Sequence, residues 1–132
     1  MKTGIIKASP TDCINILLYH QIGDIPGAAT NLDCFCKISE FYIQMDFLKN
    51  SDYHVISLKQ AVDLIFNRRN IDGKYVVLTF DDGCESFYNI TYPILERLEF
   101  PSTIYPVAGY LGRYASWKTL NNRDLKIVSK KM

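Results

Sequence analysis

Two adjacent carboxylates stand at the end of an apolar run near the middle of the chain. The run VVLTF at 76–80 is followed directly by Asp81, Asp82 and Gly83. Two like charges a few ångströms apart repel each other, and each resists removal from water. A bound divalent cation would compensate the pair, with one carboxylate as its ligand and the other accepting a proton from the cation-bound water. The pattern therefore predicts a hydrolytic metal site.

A different metal chemistry uses the same residue types. A strand followed by Asp-Asp-Gly also occurs in phosphoryl-transfer enzymes, where the carboxylates would hold Mg²⁺. That function calls for a glycine-rich phosphate cradle or a catalytic lysine at a motif position, and the sequence shows neither. A purely structural role as a helix cap explains the pair poorly, because an N-cap needs one carboxylate and not two.

The segments around the pair alternate between short apolar runs and amphipathic stretches. Strands are predicted at 14–19, 54–57, 75–80 and 102–107, and helices at 38–50, 58–66 and 90–98, with a last helix capped by Ser116. Ser57 and Gln60 form a capping box before the second helix. Its apolar face comprises Leu58, Ala61, Val62, Ile65 and Phe66. Near-continuous apolar strands alternating with helices indicate an α/β fold with a parallel sheet covered by helices.

Parallel sheets of this kind carry their functional residues beyond the carboxyl ends of the strands. His20 follows the first predicted strand, the pair Asp81–Asp82 follows the third, and a segment containing Tyr110 follows the fourth. Gly83 would let the backbone turn sharply and approach a substrate. These residues are the candidates for one site, although a lone histidine after a strand is more often a structural hydrogen-bonding group.

Composition sets limits on partners and location. The 132 residues are enough for one domain, and the net charge of +1 gives no reason to predict a nucleic-acid partner. No run approaches the roughly 18 apolar residues of a membrane span. The amino terminus lacks the apolar stretch of a signal peptide, so a cytoplasmic location is the default expectation. The four cysteines form no CxxC pair, and free, mostly buried thiols are expected; a Cys13–Cys84 disulfide stays open.

The residues so far described resemble a known family. LTFDDG resembles the first motif of the NodB-type polysaccharide deacetylases, which form carbohydrate esterase family 4. LLYHQIGD resembles their first strand, and YPILERLEFPSTIYPVAGYLG the segment after the motif. The likeness extends from about residue 16 to 117 and is greatest to the branch that deacetylates poly-N-acetylglucosamine.

The resemblance implies a fold, a reaction and residue roles. The fold would be a distorted (β/α) barrel, and the reaction metal-dependent hydrolysis of N-acetyl groups on an N-acetylglucosamine polysaccharide. Asp81 matches the catalytic base and Asp82 a ligand of a divalent metal of the zinc, cobalt or nickel type. His20, Gly83 and Tyr110 are expected to line the site or contact substrate.

The chain also departs from that family. In the family, a His-x-x-x-His pair completes the metal site, whereas this chain has only His20 and His54. In addition, no histidine follows the carboxylates to serve as general acid. Such a barrel normally needs about 200 residues or more. Residues 1–132 are therefore interpreted as one partial domain, the amino-terminal part of an apparently truncated barrel. We expect it to bind metal weakly, to be inactive alone and to self-associate through exposed barrel edges. The alternative is a catalytically dead carbohydrate-binding or interaction module.

Overall fold

The computed structural model describes residues 12–24, 34–67, 71–111, 114–118 and 124–126. The strands are β1 Cys13–Tyr19, β2 Gln21–Ile22, β3 Phe35–Cys36, β4 Tyr53–Val55, β5 Lys74–Asp82, β6 Ser102–Pro106, β7 Tyr114–Lys118 and β8 Asp124–Lys126. The α-helices are α1 Ile38–Asn50, α2 Leu58–Phe66 and α3 Tyr92–Leu98. A π-helical turn, Phe87–Thr91, leads into α3, and a 3₁₀ turn, Ala108–Tyr110, follows β6.

Strand β5 lies at the centre of a four-stranded parallel sheet. β1 pairs over its whole length with the segment Lys74–Phe80 of β5. β4 pairs with the first three residues of β5, and β6 pairs with its last five. Since β1 occupies one edge of β5, β4 and β6 must share the other. The predicted α/β class with a parallel sheet is confirmed.

The core lies between this sheet and the helices α1 and α3. Alternate residues of a strand point to one face, and Val76, Leu78 and Phe80 of β5 are all buried against the helices. The helices contribute buried residues at helical spacing: Phe41, Met45 and Leu48 from α1, and Ile94 and Leu95 from α3. The core thus holds β5 rigidly up to the point where its carboxylates begin.

The third helical segment changes type just before Pro93. Pro93 falls in the first turn of α3, where a missing backbone N–H costs little because first-turn donors have no partner within the helix. The turn before it is π-helical rather than α-helical.

The predicted capping box of α2 is present. The Ser57 hydroxyl accepts a hydrogen bond from the Gln60 backbone N–H, and the Gln60 side chain accepts one from the Ser57 backbone N–H.

Two details of the sequence interpretation are wrong, and one strand pairing is additional to it. Of the apolar face predicted for α2, only Ala61 is buried, whereas Val62, Ile65 and Phe66 are exposed. Ser116 does not cap a helix, because residues 114–118 form β7, which pairs with β8 in antiparallel fashion. The two-residue pairing of β2 with β3 was not predicted, since runs so short carry no periodic signal.

The described helices are short. The longest, α1, has 13 residues, and in the described ranges no helix is long and apolar enough to cross a membrane. The cytoplasmic location expected from the amino terminus stays a prediction.

Candidate active site

The site forms where β1 and β5 end side by side. Tyr19, the last residue of β1, is in register with Phe80, so His20 and the pair Asp81–Asp82 leave the same end of the sheet. His20 Nδ1 lies 3.3 Å from Asp82 Oδ2, and both side chains are about one-third exposed (31% and 32%). The structure thus brings together an imidazole and a carboxylate that are 62 residues apart in the sequence.

The carboxylates lie inside β5 rather than after it. We expected them just past the strand, but β6 extends the pairing, so that Asp81 lies opposite Tyr105 and Asp82 opposite Pro106. Pairing with β6 on one side holds the backbone of Asp81, since the pairing of β1 ends at Phe80. In the described part of the chain, the Asp81 side chain has no hydrogen-bond or ion-pair partner.

Asp82 adopts a strained backbone conformation. Its φ is +67°, which is unfavourable for a residue with a Cβ atom. The Gly83 N–H donates to the Asp81 carbonyl at 2.9 Å, so Asp82 is the centre of a γ-turn with positive φ. Such strain costs of order 1–3 kcal/mol and concentrates at functional sites. At this turn the Asp82 side chain contacts His20.

The remaining predicted residues occupy the same end of the sheet. Gly83 is buried and has a φ of +67°, which glycine adopts without strain. Tyr110 ends the 3₁₀ turn after β6 and is half-buried. The roles of Gly83 and Tyr110 towards a substrate stay predictions.

The second histidine lies at the opposite end of the sheet. His54 in β4 is in register with Tyr75, near the start of β5, and its ring contacts the Tyr75 ring at 5.8 Å between centroids. Asp82 lies seven positions after Tyr75 in β5, which corresponds to about 23 Å of strand. His54 therefore cannot join His20 at the site.

The donor set around Asp82 suits a divalent metal only in part. Zinc takes histidine nitrogen and carboxylate oxygen, and His20 and Asp82 offer one of each. A hydrolytic zinc site uses about three protein ligands and one open position. No group of three or more His, Cys, Asp or Glu side chains within the described ranges is arranged to hold a metal. These residues therefore form an incomplete ligand set.

Two buried oxygen atoms beside the site were not anticipated from the sequence. Gln21 Oε1 and Ser86 Oγ are inaccessible and have no hydrogen-bond partner among the residues that the structure describes. Gln21 follows His20, and Ser86 lies four positions after Asp82. A buried polar atom left unpaired costs about 1–3 kcal/mol. Adjacency to the motif was the only sequence signal for them.

Cys84 lies next to the site but is not a nucleophile. All four cysteines are free thiols, and only Cys84 is buried, so the expectation of mostly buried thiols is wrong. Burial, and after it the negative charge of Asp82, raise the pKa of the Cys84 thiol to about 11. The thiol is therefore protonated at neutral pH, and the thiolate is the reactive form.

Alkylation should reveal this shift. At pH 8 we expect iodoacetamide to modify Cys84 roughly a hundredfold more slowly in the folded chain than in urea, because a pKa raised by about two units lowers the thiolate fraction by that factor. Above pH 9 the rate should rise about tenfold per pH unit until the pH approaches 11. Mass spectrometry of the peptide containing Cys84 gives the rates, with a Cys84→Ser chain as the blank. Equal rates in the folded and unfolded chains would contradict the assignment.

The known proteins that this chain resembles include polysaccharide deacetylases. Residues 68–129 match the sequence model of the family described as Polysaccharide deacetylase. Over 93 residues the chain is 34% identical to the poly-beta-1,6-N-acetyl-D-glucosamine N-deacetylase of Escherichia coli K12, which covers 70% of this chain and 14% of that protein. It is 31% identical over 97 residues to the protein of the same name from Staphylococcus aureus N315, with 70% and 30% covered. The chain spans less than a third of the length of these curated relatives.

Solved structures agree with the fold. IcaB from Ammonifex degensii superposes with a TM-score of 0.74 at 25% identity, covering 89% of this chain and 45% of that one. The Streptococcus pyogenes deacetylase PplD, solved in complex with acetate, superposes with a TM-score of 0.65 at 31% identity, covering 73% and 43%. The predicted fold class is confirmed, and the chain spans under half of each of these structures.

Proposed function

We propose, on the premise that this chain is a relative of the NodB-type polysaccharide deacetylases, that it supplies the carboxylate part of a metal-dependent N-deacetylase site. The substrate class is an N-acetylglucosamine polysaccharide, because curated relatives carry that polymer in their names. Residues 1–132 would form one partial domain of this family. The observation that carries the proposal is the contact between His20 and the strained Asp82 at the end of β5.

The two carboxylates have different surroundings, which supports different roles. Asp82 is turned towards His20 and would be the metal ligand, with His20 as a second. A divalent cation of the zinc, cobalt or nickel type supplies, when bound, a more acidic water and a polarised acetyl carbonyl. Asp81 has no partner among the described residues, so it is available to accept a proton from the attacking water.

The reaction needs one more group than these residues provide. Water oxygen bonds to the acetyl carbon, the amide C–N bond breaks, and acetate leaves, while the sugar nitrogen must gain a proton to depart as an amine. Asp81 takes the proton of the water. His20 is held by Asp82, and His54 is about 23 Å along the sheet, so neither histidine is placed to protonate the nitrogen. Neither described histidine is therefore the donor for the leaving amine.

A non-catalytic carbohydrate-binding module is the second candidate. The incomplete ligand set among the described residues favours it. The two functions differ in metal dependence, because glycan binding by such a module would persist in a chelator. Titration of the chain with an N-acetylglucosamine oligomer, in the presence and absence of EDTA, distinguishes the two functions.

Activity of the chain alone should be absent. We expect these 132 residues, incubated with zinc, cobalt or nickel and an acetylated glucosamine oligomer, to release no acetate above a no-enzyme control. One or two ligands hold a cation weakly and acidify its water too little near neutral pH. Acetate release that Asp81→Asn removes would show that the ligand set is complete after all.

A joined polypeptide tests the proposed function itself. It consists of this chain followed by the portion of the Streptococcus pyogenes deacetylase that has no counterpart in the chain. We expect the folded joined polypeptide to release acetate with added metal. A folded, metal-binding joined polypeptide without acetate release would overturn the proposal.

A further inference from the structure

Two thiols flank the contact between His20 and Asp82. Cys84 follows Asp82 by two positions, and its carbonyl accepts a hydrogen bond from the Phe87 N–H at 2.9 Å. Cys34 lines a cavity of about 230 Å³ together with His20. Neither thiol has a part in the proposed reaction, so the pair needs an explanation of its own.

Strand pairing places Cys34 beside the turn that begins at Cys84. Cys34 directly precedes β3, whose Phe35 is in register with Gln21 of β2. β2 in turn contacts the π-helical turn that leads into α3. The segment before β3 and the turn after the carboxylates are therefore held at the same corner of the sheet, although the two cysteines are far apart in the sequence.

The electrostatics of Cys84 agree with this placement. Burial is the main cause of the raised pKa of its thiol, and the negative charges of Asp82 and then Cys34 add to it. Among the described residues, no thiol other than Cys34 contributes. Because the energy between two charges falls as their separation grows, this contribution indicates that the two sulfur atoms are close.

The other two cysteines lie elsewhere. Cys13 begins β1 in register with the first residue of β5, about 26 Å of strand from Asp82. The Cys13–Cys84 disulfide that the sequence left open is thereby excluded. The Cys36 thiol donates to the carbonyl of the next residue at 3.6 Å.

We propose that Cys34 and Cys84 are a reversible redox pair, whose disulfide fastens the segment before β3 to the turn that carries Asp82. β3 pairs with β2, the strand that directly follows His20. The disulfide would therefore hold both sides of the contact between His20 and Asp82, and reduction would release them. The inference rests on placement and thiol chemistry and does not depend on the proposed reaction.

Hydrogen peroxide is an oxidant that balances the reaction. It reaches Cys34 first, because Cys34 is half-buried whereas Cys84 is only 2% exposed. The Cys34 sulfur attacks one peroxide oxygen, the O–O bond breaks, and a sulfenic acid and one water result. The Cys84 thiol then attacks that sulfur, so that the S–S bond forms and the S–O bond breaks with release of a second water. Two thiols lose two electrons and two protons, and one peroxide becomes two waters.

Burial of Cys84 is compatible with the second step. Its protonated thiol reacts slowly with reagents in solution, but its attack on the neighbouring Cys34 sulfur takes place within one molecule. Reactions between groups held together in one molecule gain large effective concentrations. The same burial keeps peroxide away from Cys84, so oxidation should stop at the disulfide rather than reach a sulfinic acid.

Peptide mapping of the oxidised chain tests the pair. The 132-residue chain is reduced, freed of reductant, treated with a small excess of hydrogen peroxide, alkylated and digested. We expect one linked peptide pair containing Cys34 and Cys84, which dithiothreitol separates. Cys34→Ser should lower the yield of disulfide within the monomer at least tenfold. The matched control, Cys36→Ser, removes the neighbouring thiol and should leave that yield unchanged.

Thermal unfolding and amide hydrogen exchange of the unsubstituted chain give a second reading. Oxidation should raise its Tm by about 5 °C or more, because a cross-link that closes a long loop restricts the unfolded chain. Exchange at the turn after Asp82 should become at least tenfold slower. A sulfinic acid on Cys34 beside a free Cys84 thiol, or a disulfide between other cysteines, would overturn the inference. A Cys34–Cys84 disulfide that changes neither Tm nor exchange would overturn it as well.

Discussion

Asp81→Asn is expected to lower deacetylation by the joined polypeptide by about 10²–10⁴-fold while leaving its metal affinity unchanged. General base catalysis contributes that range, and the amide of asparagine cannot accept the proton of the attacking water. Among the described residues, no hydrogen bond or ion pair joins the Asp81 side chain to His20 or Asp82. Released acetate gives the rate, and calorimetric titration with zinc gives the affinity.

Asp82→Asn is the matched control and should have the opposite profile. It removes a charged ligand beside His20, so metal affinity should fall at least tenfold. Asparagine tolerates the positive φ of this position, so the backbone should keep its turn. Activity should be partly restored at high metal concentration in this variant, and in Asp81→Asn it should not. Equal loss of metal in both variants would contradict the division of roles.

Phe80→Ala is expected to destabilise the chain by about 3–5 kcal/mol, which is the usual cost of removing a buried phenylalanine. Phe80 is fully buried and its ring meets those of Tyr19, Phe41 and Phe87 at centroid distances of 5.2, 6.2 and 5.0 Å. It directly precedes Asp81, so its loss removes support from the site as well. Since small domains are stable by only about 5–15 kcal/mol, the variant should be largely unfolded under mild conditions.

Phe66→Ala provides the comparison with the same chemical change. Phe66 is 78% exposed at the end of α2, so the free energy of unfolding should change by no more than about 0.5 kcal/mol. Urea unfolding followed by circular dichroism measures both variants. A similar loss of unfolding free energy in Phe66→Ala and Phe80→Ala would show that α2 is covered by a part of the chain that contributes to stability.

Local patterns in the sequence determined the elements and the chemistry of the motif. The apolar run ending in Asp81 and Asp82 predicts a buried strand with carboxylates at its end, because burial of a strand on both faces requires apolar residues at every position. Phe41, Met45 and Leu48 recur at helical spacing and are the buried face of α1. Ser57 and Gln60 mark the start of α2 through hydrogen bonds that join residues three positions apart. Each signal acts within a few residues, so the sequence alone contains it.

Only the tertiary structure decided which distant groups meet. The apolar stripe of α2 predicts burial, yet Val62, Ile65 and Phe66 are exposed, because periodicity states which residues share a face and not what covers it. The pairing of β1 with β5 brings His20 to 3.3 Å from Asp82 across 62 residues of chain. The positive φ of Asp82 occurs where the pairing of β6 with β5 ends and the Gly83 N–H returns to the Asp81 carbonyl. These features depend on contacts between distant segments, which local propensity does not encode.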